Sequence, residues 1–113
     1  LFGSHPGDIR AVIGPGIGYD SFQVGEEVAL TFKESGFPID RIWSFRGARK
    51  EGTMEGGHHL DLKECVRHSL IECGVAEGNI RVSDIDTYTD VRFYSARREG
   101  ISCGRNINAI MLI

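Results

Sequence analysis

The sequence predicts a mixed α/β (α+β) domain, and three stretches of it carry that prediction. Ala11-Val12-Ile13 is short, apolar and β-branched, and Gly14-Pro15-Gly16 cuts it off; Arg10 to Ile13 therefore reads as a buried strand entering a tight loop. Past the loop, Val24, Val28 and Phe32 recur every four residues, which puts them on one face of a helix. Leu62, Val66, Leu70 and Cys73 form a second apolar stripe that Gly74 closes. A strand, a glycine-rich turn and a helix form a common ligand-holding unit, because backbone N–H groups point out of the turn.

Taken in order, residues 1–9 read as a loop. Leu1-Phe2 resembles the last turn of a helix, so the chain is expected to begin inside a domain. The first helix should run from about Val24 to Ser35, with Glu26 and Glu27 favoured by the dipole at its start and Gly36 and Pro38 as stop signals. Ile39 to Phe45 fits either a short helix or an edge strand. Arg46 to Gly57, with glycines at 47, 52, 56 and 57 and basic residues at 46, 49 and 50, reads as a solvated loop or as a basic flap over an anionic ligand. Asp61 can cap the next helix, with Glu64 at capping-box spacing. Ile80-Arg81-Val82 is expected to be a strand and Arg92 to Ser95 a second, short one. Glu99-Gly100 and Cys103-Gly104 mark turns before a last strand, Asn106 to Ile113, whose continuous apolar run predicts burial on both faces.

The bulk composition narrows the function classes. A chain of 113 residues is enough for one core, and its 41% hydrophobic and 26% charged residues are those of a globular protein. A net charge of −3 argues against nucleic acid or anionic lipid as a partner. No apolar run approaches the length of a membrane span and no secretory signal opens the chain, so a cytoplasmic protein is expected. Cys65, Cys73 and Cys103 follow no motif and read as reduced thiols.

Three groups suggest chemistry. His58 and His59 are adjacent and point in different directions, while Cys65 and His68 supply two ligands at most, so no metal site is expected wholly within this chain. Polar contacts or capping suit His58 and His59, and a solvent-facing position suits His68. The loop Gly14-Pro15-Gly16-Ile17-Gly18 lacks the dinucleotide-binding spacing; its glycines serve a tight turn, or a backbone that closely approaches a ligand or another strand. Ser95, Arg97 and Arg98 could clamp a phosphate or carboxylate. Alternatively, one arginine is a surface charge and the other pairs with Glu99 or Asp90.

These clusters also match one family in order and spacing. Ala11 to Ile17 followed by Phe22-Gln23-Val24-Gly25-Glu26-Glu27-Val28 resembles its "IGPxI…(Y/F)EVGEEV" segment. His59-Leu60-Asp61-Leu62, Gly74-Val75 and Asn79-Ile80 resemble its "hLDL…GV…NI" block. Thr87, Phe93-Tyr94-Ser95-Ala96-Arg97-Arg98 and Gly104-Arg105 are similar to its closing "CT…FFSxRR…GR" signature, with Asp86 where the family usually has cysteine. The family is that of laccase-domain or polyphenol oxidase proteins, also described as purine nucleoside phosphorylases, and the resemblance runs from about Asp8 to Ile113.

The resemblance implies a sandwich of mixed β-sheets flanked by helices, of which residues 1–113 would be the C-terminal half. It places the family's metal set of two histidines and one cysteine, suited to zinc or alternatively copper, in the missing N-terminal half. It implies purine nucleoside and phosphate as partners, with Gly14, Pro15, Gly16, Ser95, Arg97 and Arg98 as candidate substrate contacts, the glycine-rich loop through its backbone N–H groups and an arginine through contact with the anion. Copper-dependent phenol oxidation and a non-catalytic binding or assembly module are the alternatives. Half of such a sandwich exposes core faces, so self-association of the isolated chain is also expected.

Overall fold

The computed structural model describes residues 5–100 and 102–106. Among these residues there are two small sheets and four α-helices. Strand β1 (Ala11–Ile13) pairs in parallel with β5 (Ile80–Val82), Val12 opposite Arg81. The second sheet is antiparallel and ordered β2-β4-β3, from Gln23–Val24, His58–Leu60 and Trp43–Phe45. The helices are α1 (Glu26–Glu34), α2 (Ile39–Ile42), α3 (Leu62–Glu72) and α4 (Ala96–Glu99). The mixed α/β expectation is met.

The core is small. Ala29, Ile42, Leu60 and Cys65 are buried together, with Phe22, Val24, Phe32, Phe37 and Trp43 packed partly against them. It joins α1, α2 and α3 to the inner face of the three-stranded sheet.

Several elements differ from the sequence pattern. Helix α1 begins at Glu26, because Val24 pairs with His58 in β2, and its buried residue is Ala29, one position past the Val28 of the apolar stripe. In α3 the buried residue is Cys65, and Val66 of the stripe is exposed. Each stripe is therefore split: Val24 and Phe32 pack against the core while Val28 and Val66 are exposed. Strand β1 is shorter than Arg10 to Ile13 and is not buried: Val12 is 77% exposed, because among the described residues its sheet has two strands and α3 covers one side.

Ile39 to Phe45 realises both of its readings, a turn of helix followed by a strand. Arg92 to Ser95 is not a strand. Asp90 Oδ1 accepts the Arg92 N–H, Asp90 O accepts the Phe93 N–H, and the segment turns into α4. The capping prediction holds at Asp61, whose carboxylate accepts the Glu64 N–H at 3.1 Å, whereas the Glu64 side chain turns away to Arg67. Positive φ at Gly36, Gly74 and Gly100 ends α1, α3 and α4. Leu1-Phe2 and the expected last strand beyond Asn106 lie outside the described residues.

Candidate functional site

The glycine-rich loop is built around a carboxylate of its own chain. A Cβ on Gly18 would lie 2.7 Å from Asp86 Oδ2, so only glycine fits there. Asp86 accepts hydrogen bonds from Ser21 Oγ at 2.5 Å, from the Tyr88 N–H at 2.9 Å and from the Gly18 N–H. A parallel bridge between Gly16 and Asp86 and a bond from the Thr87 N–H to Gly16 O close the arrangement. Burial pushes the Asp86 carboxyl up, but these donors and the Lys63 charge outweigh it, so the group sits below its ordinary value of 3.8. Of the two readings of the glycines, close approach to another strand is the one seen at Gly18.

Gly14, Pro15 and Gly16 lie on a cleft of about 520 Å³ between β1 and α3, whose other wall carries Leu62, Val66 and Leu70. On the far side of α3, Lys63, Arg67, Ser83 and Asp86 line a polar cleft of about 510 Å³. There the Lys63 ammonium is held by the carbonyls of Ser83 at 2.8 Å and Ile85 at 2.6 Å.

The closing arginines separate into two roles. Arg98 donates to the carbonyls of Thr87 at 2.7 Å and Tyr88 at 2.9 Å, to that of Phe93, and to the Glu99 carboxylate at 2.7 Å. Ser95 is buried and its Oγ accepts the Arg98 N–H, capping α4. Both groups are committed to their own turn. Arg97 points elsewhere: it donates to Gln23 O at 2.7 Å and lies over the Phe22 ring at 4.9 Å. It borders a cavity of about 330 Å³ shared with Gln23, Val24, Gly25, Val28, Arg49 and Met54. Gly14, Pro15 and Gly16 are therefore together, and Arg97 lies on a different cavity.

The histidines act within the fold. His59 is 1% exposed, and its ring nitrogens lie 3.0 Å from Tyr19 O and 2.9 Å from Gly56 O. His58 accepts the Trp43 indole N–H at 2.9 Å and packs on Phe45. His68 is not solvent-facing as expected; it is half-buried against the Phe37 ring. Among the described residues no three His, Cys, Asp or Glu side chains come together to hold a metal ion, so none of them fits the zinc or copper that the resemblance implies. Cys65, Cys73 and Cys103 are free thiols.

Sequence reasoning missed Gln23 and Asp86 as organisers. Asp86 was legible only as a departure from the family pattern, whereas Arg49 was legible as a basic residue of a loop read either as solvated or as a flap over an anionic ligand. A family model described as multi-copper polyphenol oxidoreductase laccase matches residues 1–113. The chain belongs to that family. This laccase-family chain is 43% identical over 112 residues to a purine nucleoside phosphorylase of Bacteroides thetaiotaomicron, covering 98% of this chain and 39% of that protein. It is 37% identical over 103 residues to an adenosine deaminase, RL5, of an unknown prokaryotic organism, covering 90% of this chain and 37% of the relative. Its fold matches the crystal structure of the Bacillus licheniformis hypothetical protein YfiH, with TM-score 0.72 and 35% identity over 88% of this chain and 36% of the other. The laccase-family chain thus spans less than two fifths of the length of the relatives it matches. No helix among the described residues is long and apolar enough to cross a membrane.

Proposed function

We propose that this chain forms part of an enzyme that cleaves purine nucleosides with phosphate. What supports the reading is the 43% identity to a protein named purine nucleoside phosphorylase, over nearly the whole chain. In such a reaction a phosphate oxygen attacks the sugar C1′ as the C1′–N9 bond breaks. The purine leaves with the bonding pair and takes up a proton. The protein must then hold an anionic nucleophile beside the sugar and stabilise the departing base.

In this proposal Arg97 makes the anion contact, and Ser95 and Arg98 act by holding the turn that carries it. Gly14, Pro15 and Gly16 form the wall of a separate cleft. The zinc or copper of the resemblance would be held by polypeptide outside this chain, and no step here depends on it.

The test is to incubate the intact protein with inosine or adenosine, with and without phosphate. Phosphate-dependent release of free purine together with ribose 1-phosphate is expected, and Arg97→Ala should raise KM for phosphate about tenfold. Adenosine deamination is a second reading, favoured by the relative named adenosine deaminase. Inosine and ammonia formed from adenosine without phosphate would replace phosphorolysis with it. Nucleoside binding without any product would leave a binding module.

A further inference from the structure

The loop from Arg46 to Gly57, which its composition allows as a solvated loop or a basic flap over an anionic ligand, folds back on itself. Its two arms touch: Gly57 N–H donates to Gly47 O at 2.7 Å, and Gly56, at φ 72°, stands where a Cβ would meet Ala48 O at 1.9 Å. Its end is tied to the sheet, because the Gln23 amide donates to Glu55 O at 3.0 Å and Gly56 O at 2.9 Å. Gln23 thus holds Arg97 through its main-chain carbonyl and the loop through its side chain. The result brings Arg49 of the loop and Arg97 of α4 onto one cavity.

The charge balance of that cavity is unusual. Among the described residues its lining includes two arginines and no Asp or Glu. Arg49 makes no side-chain hydrogen bond or ion pair among the described residues, and Arg97 spends one N–H on Gln23 O. Two like charges facing the same space repel unless a counter-charge enters, and guanidinium forks match the oxygens of phosphate geometrically. The Glu27 carboxylate lies against Gly25 of that lining, where a Cβ would come within 2.3 Å of its Oε1.

We propose that Arg49 and Arg97 form a two-arginine oxyanion site for inorganic phosphate, closed on one side by the 46–57 loop and held weak by Glu27. The identity of the anion rests on the phosphorolysis reading; the site itself rests on the charge and geometry of the cavity. Arg49 is a contact that the family motif does not contain.

The test is calorimetric titration of the intact protein with inorganic phosphate, paired with phosphate-dependent nucleoside cleavage. Arg49→Ala is expected to weaken phosphate binding about tenfold while leaving the melting midpoint in place, since its side chain holds nothing else. Glu27→Gln is expected to tighten phosphate several-fold by removing a nearby negative charge. An unchanged phosphate Kd in Arg49→Ala overturns the site. Weakened binding in a protein without phosphorolysis supports the site and removes the phosphorolysis reading. Phosphorolysis whose KM for phosphate ignores Arg49→Ala removes the site and keeps that reading.

Discussion

Asp86 shows how one side chain can set the geometry of a loop. Three donors converge on its carboxylate, and they hold the group below 3.8 although burial alone would raise it. Asp86→Asn should therefore cost about 1–2 kcal/mol at neutral pH, because a charge-assisted acceptor becomes a neutral one. The pH dependence has a definite sign. A lowered folded value means the stabilisation is complete above the ordinary value of 3.8 and is lost as pH falls through the folded value. Urea midpoints of wild type and Asp86→Asn should differ by a constant amount between about pH 5 and 7 and converge below about pH 4; parallel curves down to pH 2 would refute the assignment. Cys65 offers a second check. Burial, and after it the charges of Asp61 and Glu64, push its thiol up to about 11. Iodoacetamide at pH 8 should then modify exposed Cys73 and leave Cys65 untouched, read by peptide mass spectrometry; equal labelling would mean that Cys65 is not packed beneath the start of α3. Neither residue could be assigned this role from sequence, because the donors to Asp86 come from positions as distant as Ser21.

Local signals placed the elements they alone control. Asp61 with Glu64 gave the start of α3, and Gly74 its end, because a cap is a contact within one turn. Asp61→Ala should cost about 1 kcal/mol. The face that each helix buries was less legible. Ala29 and Cys65 go inward while Val28 and Val66 face out, since burial depends on which neighbours are present and not on apolarity alone. Arg92 to Ser95 misled for a related reason: Phe93 and Tyr94 favour a strand, but Asp90 and Ser95 draw the backbone into turns. Two adjacent arginines were likewise inseparable by sequence, and the structure gives them different tasks. Arg98 holds the carbonyls of Thr87, Tyr88 and Phe93, so Arg98→Ala should lower stability by about 1–3 kcal/mol. Arg97→Ala should lower it by less than about 1 kcal/mol, since the side chain is exposed. Chemical denaturation of the two variants side by side measures the split, and the reverse order would contradict the bracing role of Arg98.

At the scale of the whole chain, surface is the quantity that stands out. The accessible area is 8055 Å², against about 6,200 Å² expected for a folded monomer of this mass. The radius of gyration is 15.9 Å, where about 13 Å is usual for this length. Among the described residues, Val12, Val66, Val82 and Phe45 are large apolar side chains left exposed. Val12 lies on a strand that, among the described residues, is paired along one edge alone. Such a surface is stable in water only when something covers it. The 113 residues expressed alone are therefore expected to associate as concentration rises, in sedimentation velocity between low and high micromolar protein, and to bind a hydrophobic dye. Replacing Val12 and Val66 by threonine should reduce both signals, because it removes apolar area from the exposed cleft wall and changes no core residue. A monomer at all concentrations that unfolds in one cooperative step would show that this small core suffices without a covering partner.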